Sequence, residues 1–199
     1  MSGALGCILI LAILYAFLLY RNNRTMKQEK RRLEMVVETW KSRFFHLEEV
    51  ELKKIEYEGM RIPSTLCIES EKGKFVNLRN LIHDSNKTII MRISEKNCLS
   101  CILSFNSILQ NELTGVDVVY IVDYDTKKKR DYYKKMLNID EEVYISKDIG
   151  IPIEKEECPY VFIIDNDFQL SHLFIPIYDN DKLSKKYIQT IKNNLEITD

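Results

Sequence analysis

The chain has 199 residues, 45% of them hydrophobic and 30% charged, and a net charge of −1. This balance excludes wholesale disorder and supplies the apolar residues for one moderate domain plus an appendage. With charge near zero and no basic recognition motif, nothing points to nucleic acid as a partner.

The first element in chain order is Ala4 to Tyr20, 17 residues without a charge. At about 1.5 Å per residue it is near the lower length limit for crossing a bilayer. Tyr15 and Tyr20 suit an interface. The expectation is a transmembrane anchor over residues 1–21, rather than a cleaved signal peptide, because no basic region precedes the run. The flank after it is basic, with Arg21, Arg24, Lys27, Lys30, Arg31 and Arg32 against Glu29 alone. By the positive-inside rule this flank predicts a cytoplasmic C-terminal domain.

Residues 22–58 read as a helical stalk. From Thr25 to Glu56 there is no Pro or Gly, and Leu33, Val37, Trp40, Phe44 and Leu47 recur at alternating spacings of four and three. That is an amphipathic stripe. It suits docking on the chain's own domain or, as a weak coiled-coil seam, self-association. Gly59 and Pro63 end the segment, so the globular domain is expected over 59–199.

Within that domain, Thr65 to Ser70 and Lys74 to Leu78 flank the turn Glu71-Lys72-Gly73, a hairpin pattern. Leu78 to Ile82 is a short helix or turn. Lys87 to Ser94 is a buried strand, Leu99 to Leu113 a helix, and after Gly115 comes a second buried strand, Val116 to Val122. Thr126 to Leu137 is a basic helix and Glu142 to Ser146 a short strand. The acidic stretch Glu154 to Glu157 leads to Cys158-Pro159. Tyr160 to Asp165 and Phe168 to Ile175 form a hairpin across Asn166-Asp167, and Asp181 to Leu195 is a closing helix.

Five cysteines, Cys7, Cys67, Cys98, Cys101 and Cys158, are too few for a disulfide scaffold, and the odd count leaves at least one unpaired or paired between chains. Cys98-Leu99-Ser100-Cys101 sits where a strand ends and a helix begins. A C-x-x-C at that junction reads as a dithiol/disulfide redox site. The unpaired N–H groups and positive dipole end of the first turn favour a thiolate, and the second cysteine lies one turn on. Cys67 and Cys7 read as inert. His46, His83 and His172 have no metal-ligand spacing, Asp123/Asp125 and Asp165/Asp167 read as turn residues at strand ends, and no phosphate loop or nucleophile elbow competes.

The β-α-β-α then β-β-α order, the C-x-x-C at the first strand–helix junction and the Pro before the late hairpin together resemble the thioredoxin-like superfamily. The likeness is greatest to its membrane-tethered bacterial thiol-disulfide oxidoreductases, in the peroxiredoxin-related branch, over about Leu66 to Leu195. This resemblance implies an α/β fold, a central mixed sheet with flanking helices. It also implies a protein dithiol or disulfide as substrate or redox partner, and no cofactor. Cys98 aligns with the nucleophile, Cys101 with the resolving cysteine, and Pro159 with the family's cis-proline, beside which a substrate strand pairs. Cys158 is then expected against the dithiol. There it serves as a packed small residue, as a third redox thiol, or as a metal ligand with Cys98 and Cys101, since thiolates suit zinc, copper(I) or iron–sulfur.

Three positions depart from the family pattern. Asn97 replaces the aromatic residue before the first cysteine, and Leu99-Ser100 replaces Gly-Pro. Arg92 occupies the position of the buried acid six residues before the first cysteine, which leaves the proton relay unassigned with Glu95 as a substitute. Lys96 is placed to support the thiolate. Tethered members of the family usually face the oxidising side, so the resemblance implies an extracytoplasmic domain on the bacterial cytoplasmic membrane, against the basic flank. Two other readings stay open: a thiolate metal module of Cys98, Cys101 and Cys158, and an interaction domain in which the cysteines only staple the fold.

Overall fold

The computed structural model describes residues 2–82, 87–113, 116–124 and 126–195, with the backbone alone for 2–13, 42–44 and 46. His83, Gly115 and Asp125 lie outside the described residues, as do the side chains of Cys7, Phe44 and His46. The chain divides into two compact units, Met1–Glu51 and Leu52–Asp199.

The first unit is helical. Helix α1 runs over Ser2–Tyr57, its last turns belonging to the second unit. The apolar run continues without a break into the charged residues from Arg21 onward. Among the described residues no helix is long and apolar enough to cross a membrane. The expected single-pass anchor over residues 4–20 is therefore corrected, and the question of which side the domain faces falls with it. The physical reason is length: 17 residues make about 25 Å of helix against a hydrocarbon core of about 30 Å. Along the stripe, Leu33, Val37 and Trp40 are exposed.

The second unit is a mixed α/β sheet with flanking helices. Its strands are β1 (Cys67–Glu69), β2 (Phe75–Asn77), β3 (Lys87–Ile93), β4 (Val118–Val122), β5 (Val143–Ile145), β6 (Tyr160–Asp165) and β7 (Leu170–Phe174), in the spatial order β2-β1-β5-β4-β3-β6-β7. Strand β3 lies between β4, parallel to it from Ile89↔Val118 to Ile93↔Val122, and β6, antiparallel to it from Lys87↔Asp165 to Arg92↔Tyr160. A strand enclosed on both edges and both faces needs apolar residues almost throughout, hence the run Ile89-Ile90-Met91.

Helix α2 (Leu99–Glu112) connects β3 to β4, and α3 (Lys127–Met136) connects β4 to β5. Cys101, Ile102, Phe105, Asn106, Ile108 and Leu109 form the buried face of α2. Of these, Ile102, Phe105, Ile108 and Leu109 pack with Ile89, Met91 and Ile93 of β3 and with Ile188 and Ile191 of α4 (Asp181–Asn194). Phe105, Phe174 and Tyr187 join these layers, with centroids 5.3 Å apart for the first pair and 4.4 Å for the stacked second pair. Side chains alternate along a strand, so Ile90 and Arg92 face the opposite side of the sheet.

The elements match the sequence pattern closely. The hairpin turn between β1 and β2 holds Gly73 at φ +76, a left-handed conformation that glycine adopts without strain. The β6–β7 turn is fastened by Asp165, whose Oδ1 accepts from the Asp167 and Gln169 amides at 3.0 and 2.9 Å. One segment differs from expectation. The acidic stretch lies largely in a 3-10 helix, Pro152–Glu156, anchored by buried Ile153 and ended by Glu157 in the left-handed region at φ 50. Lys53 and Tyr57, on the last turns of α1, hold its Glu156 at 2.6 and 3.3 Å.

Candidate active site

Cys98 is the N-cap of α2. Its backbone is extended (φ −62, ψ 103), and its Sγ accepts from the Cys101 amide at 3.4 Å. Ser100 Oγ lies 3.3 Å from the same sulfur. Cys98 and Cys101 are joined as a disulfide, with Cα atoms 5.3 Å apart. Cys98 is exposed, whereas Cys101 is 8% exposed. The two sulfurs are thus unequal: one faces solvent at the positive end of a helix, and the other is covered by the core.

The loop carrying Cys98 is built from short polar side chains. Asn97 accepts from the Ser94 amide through Oδ1 at 2.6 Å, closing a tight turn. Asp123, just past β4, accepts from Ser94 Oγ at 2.6 Å and from the Glu95 amide at 2.8 Å. The strand-end aspartate therefore does more than terminate its own strand. It ties the end of β4 to the loop that presents Cys98. Asn97 takes up a backbone-fixing role where the family pattern has an aromatic ring.

Glu95, the substitute offered for the proton relay, is exposed and engaged by a lysine. Both its oxygens accept from Lys129 of α3 at 2.9 Å, and this pair is partly exposed. Lys96 forms an ion pair with Glu157, which raises the lysine above its ordinary pKa. Its charge is therefore shared with a carboxylate rather than offered to Cys98 alone. The same pair brings the Glu157-Cys158-Pro159 segment to the residue two places before Cys98.

The Cys158–Pro159 bond is trans, as are all peptide bonds among the described residues. The expected cis-proline is corrected: left-handed Glu157 turns the chain, and an X-Pro bond in the favoured trans form then leads into β6. Cys158 is half-buried and its thiol is pushed up to about 11, chiefly by burial. At neutral pH it is a protonated thiol. Among the described residues no group of three or more His, Cys, Asp and Glu side chains is arranged to hold a metal ion. That finding runs against a centre made of Cys98, Cys101 and Cys158. Cys67 is a free, exposed thiol on β1.

Arg92 holds a position the sequence left unexplained. It is 1% exposed, and its Nε and Nη2 donate to the two oxygens of Glu154 at 2.8 and 3.0 Å. Tyr160 donates its hydroxyl to the same carboxylate at 2.6 Å. Burial opposes the Arg92 charge, and the bonds and charge of Glu154 more than restore it, so the guanidinium stays protonated. From the sequence, Glu154 and Glu157 read only as part of an acidic stretch and Asp123 as a turn residue, not as partners of Arg92, Lys96 and Ser94. The signal available was an arginine inside an apolar central strand, which demands a buried acid.

No family model and no curated protein matches the sequence. Solved structures do. The solution structure of a "putative protein disulfide isomerase" from Bacteroides thetaiotaomicron matches with a TM-score of 0.50 at 13% identity, over 70% of this chain and 90% of that one. The chain has a thioredoxin-like fold. Peroxidoxin BcpB from Mycobacterium tuberculosis is similar at a TM-score of 0.48 and 13% identity, over 72% of this chain and 99% of that one. A secreted Mycobacterium tuberculosis disulfide oxidoreductase is similar at 0.45 and 10%, over 63% and 96%. In this thioredoxin-like chain the Cys98–Cys101 disulfide stands at the β3–α2 junction, with Pro159 opening β6 next to β3.

Proposed function

We propose that the chain is a thiol–disulfide oxidoreductase working through Cys98 and Cys101 on protein disulfides or dithiols. The observation that carries this reading is the disulfide at the N-terminus of α2, with an exposed first sulfur and a buried second one. In the reducing direction the Cys98 thiolate attacks one sulfur of a substrate disulfide. A mixed disulfide forms, and the departing substrate thiolate takes a proton from solvent. Cys101 loses its proton and attacks Cys98 Sγ. The second substrate thiolate leaves, and two electrons have passed from the enzyme dithiol to the substrate. Run backwards, the same steps oxidise a substrate dithiol.

The amide of Cys101, directed at Cys98 Sγ, and the helix dipole both favour the attacking thiolate. Cys158 and Pro159 directly follow Glu157, which Lys96 holds two residues before Cys98, and would flank the incoming substrate. Support for a protein partner comes from the similar structure described as a "putative protein disulfide isomerase".

The test is disulfide reduction by full-length Cys98→Ser and Cys101→Ser, with the wild type as reference. Cys98→Ser is expected to lose activity. Cys101→Ser is expected to accumulate a mixed disulfide that the wild type resolves. If both variants keep the wild-type rate, the cysteines only staple the fold and the reading is wrong.

A further inference from the structure

Arg92, Glu154 and Tyr160 form one buried polar unit on the face of the sheet opposite the main core. Arg92 donates to Glu154 through two nitrogens, and also to the Ile121 carbonyl at 3.4 Å and the Lys147 carbonyl at 3.2 Å. It thereby joins β3, β4, the loop after β5 and the 3-10 helix at one guanidinium. Glu154 and Tyr160 bracket the Glu157-Cys158-Pro159 segment in sequence, and the 2.6 Å bond from Tyr160 to Glu154 closes that bracket. Lys96 then holds the tip of the segment through Glu157, two residues from Cys98.

We propose that Arg92 is a positioning residue: by clamping Glu154 and Tyr160 it fixes the Glu157-Cys158-Pro159 segment beside the Cys98 turn, for polypeptide disulfide substrates. This rests on the reading that Cys98 and Cys101 are the working pair. The clamp acts only where a substrate is large enough to touch the segment. A small disulfide meets Cys98 alone, because Cys98 is exposed and next to exposed Leu99. A peptide disulfide extends beyond the sulfur and meets the residues the clamp holds. Arg92 therefore governs the Michaelis constant for peptides and leaves the intrinsic reactivity of the dithiol alone.

Removing Arg92 by itself strands a largely covered carboxylate, so the informative variant replaces both partners with apolar residues of similar size, which buried ion pairs often tolerate. Full-length Arg92→Met/Glu154→Leu is assayed with a disulfide-bridged peptide and with 2-hydroxyethyl disulfide. The expected result is a rise in KM for the peptide of about tenfold, the value of roughly one positioned hydrogen bond, with less than about twofold change for the small disulfide. Tyr160→Phe, which keeps the ion pair and loses one bond, is expected to move the peptide KM in the same direction by about twofold to threefold. It decides the question if the double variant does not fold. Equal changes for both substrates, or no change for either, overturn the proposal. Cys98→Ser is run alongside. If it retains activity on both substrates, the dithiol reading fails and takes this proposal with it. If it is inactive while the clamp variants show no split, the clamp proposal alone fails.

Discussion

Asp123 receives the Ser94 hydroxyl at 2.6 Å, across 29 residues of sequence, and so couples the end of β4 to the loop that presents Cys98. The same carboxylate takes the Glu95 amide. Its two oxygens thus hold both a side chain and a backbone group of one four-residue loop. Asp123→Ala leaves those donors unpaired. Hydrogen bonds to a charged group contribute about 1.5–3 kcal/mol each, so a loss of roughly 2 kcal/mol is expected in denaturant unfolding, together with slower disulfide exchange. Asp123→Asn, which keeps one acceptor, should recover part of both. An unchanged unfolding midpoint for the alanine variant would show that the loop is held by other means.

Glu157 bears on the reactivity of Cys98 through Lys96. In the reduced protein, Glu157→Gln releases the Lys96 ammonium from its carboxylate and removes a negative charge near the thiol. Both changes favour the thiolate, so the Cys98 pKa should fall. The pair is exposed and screened, so the drop is small at physiological salt and smaller still at high salt. Ultraviolet titration of the thiolate in a Cys101→Ser background measures it. A rise would contradict the assignment of Lys96 as a partner of Glu157.

Cys158 gives a signed pH dependence. Its folded thiol is raised to about 11 from an ordinary 9.0 by burial first of all. Below the lower value both folded and unfolded states carry the proton, so ionisation of Cys158 costs the fold nothing. Between the two values the unfolded thiol ionises and the folded one does not, which pulls the equilibrium towards unfolding. The stability of the wild type relative to Cys158→Ala should therefore fall as pH rises from about 9 to about 11. Alkylation of Cys158 in the native protein should stay slow at neutral pH for the same reason. Rapid labelling at pH 7 would refute the burial argument.

Gly150 precedes the 3-10 helix that carries Glu154. It has φ +82, and an added Cβ would lie 2.9 Å from Pro63 Cγ and Cδ. Gly150→Ala meets both a left-handed backbone and a ring that cannot swing aside. A loss of roughly 1–3 kcal/mol is expected from thermal unfolding. A variant as stable as the wild type would mean that the loop can shift away from Pro63.

Asn106 is a buried polar residue on α2, 1% exposed. Its Nδ2 donates to the Leu137 carbonyl at 2.8 Å, and its Oδ1 accepts from Tyr120 at 2.9 Å. Asn106→Leu strands both partners in the core. About 2–4 kcal/mol should be lost, taking about 1–3 kcal/mol for each unsatisfied group with some overlap. Tyr120→Phe combined with Asn106→Leu should cost less than the two single losses added. A strictly additive pair would show that the two side chains do not depend on one another.

Most of the strand and helix order was legible because it is written locally. The continuous apolar run of β3, the Asn166-Asp167 turn and the one-sided burial of α2 each repeat over a few residues, and a period or a turn chemistry identifies them. The Cys98–Cys101 pairing was legible for the same reason, since three residues of helix bring the sulfurs together. The apolar run at the N-terminus was equally plain as a pattern. Among the described residues, however, no helix is long and apolar enough to cross a membrane.

What the sequence alone determined is thus the αβ order and the place of the disulfide. Tertiary structure alone decided how the site is held. Arg92 meets Glu154 across 62 residues, Lys96 meets Glu157 across 61, and Asp123 meets Ser94 across 29. Partners that far apart leave no periodic trace, and a charge in an apolar strand reveals only that a partner is needed, not which one. The trans bond before Pro159 and the absence of a three-thiol cluster among the described residues were likewise decided in three dimensions. The chain turns immediately before Cys158 and Pro159 at Glu157, a residue in the left-handed region.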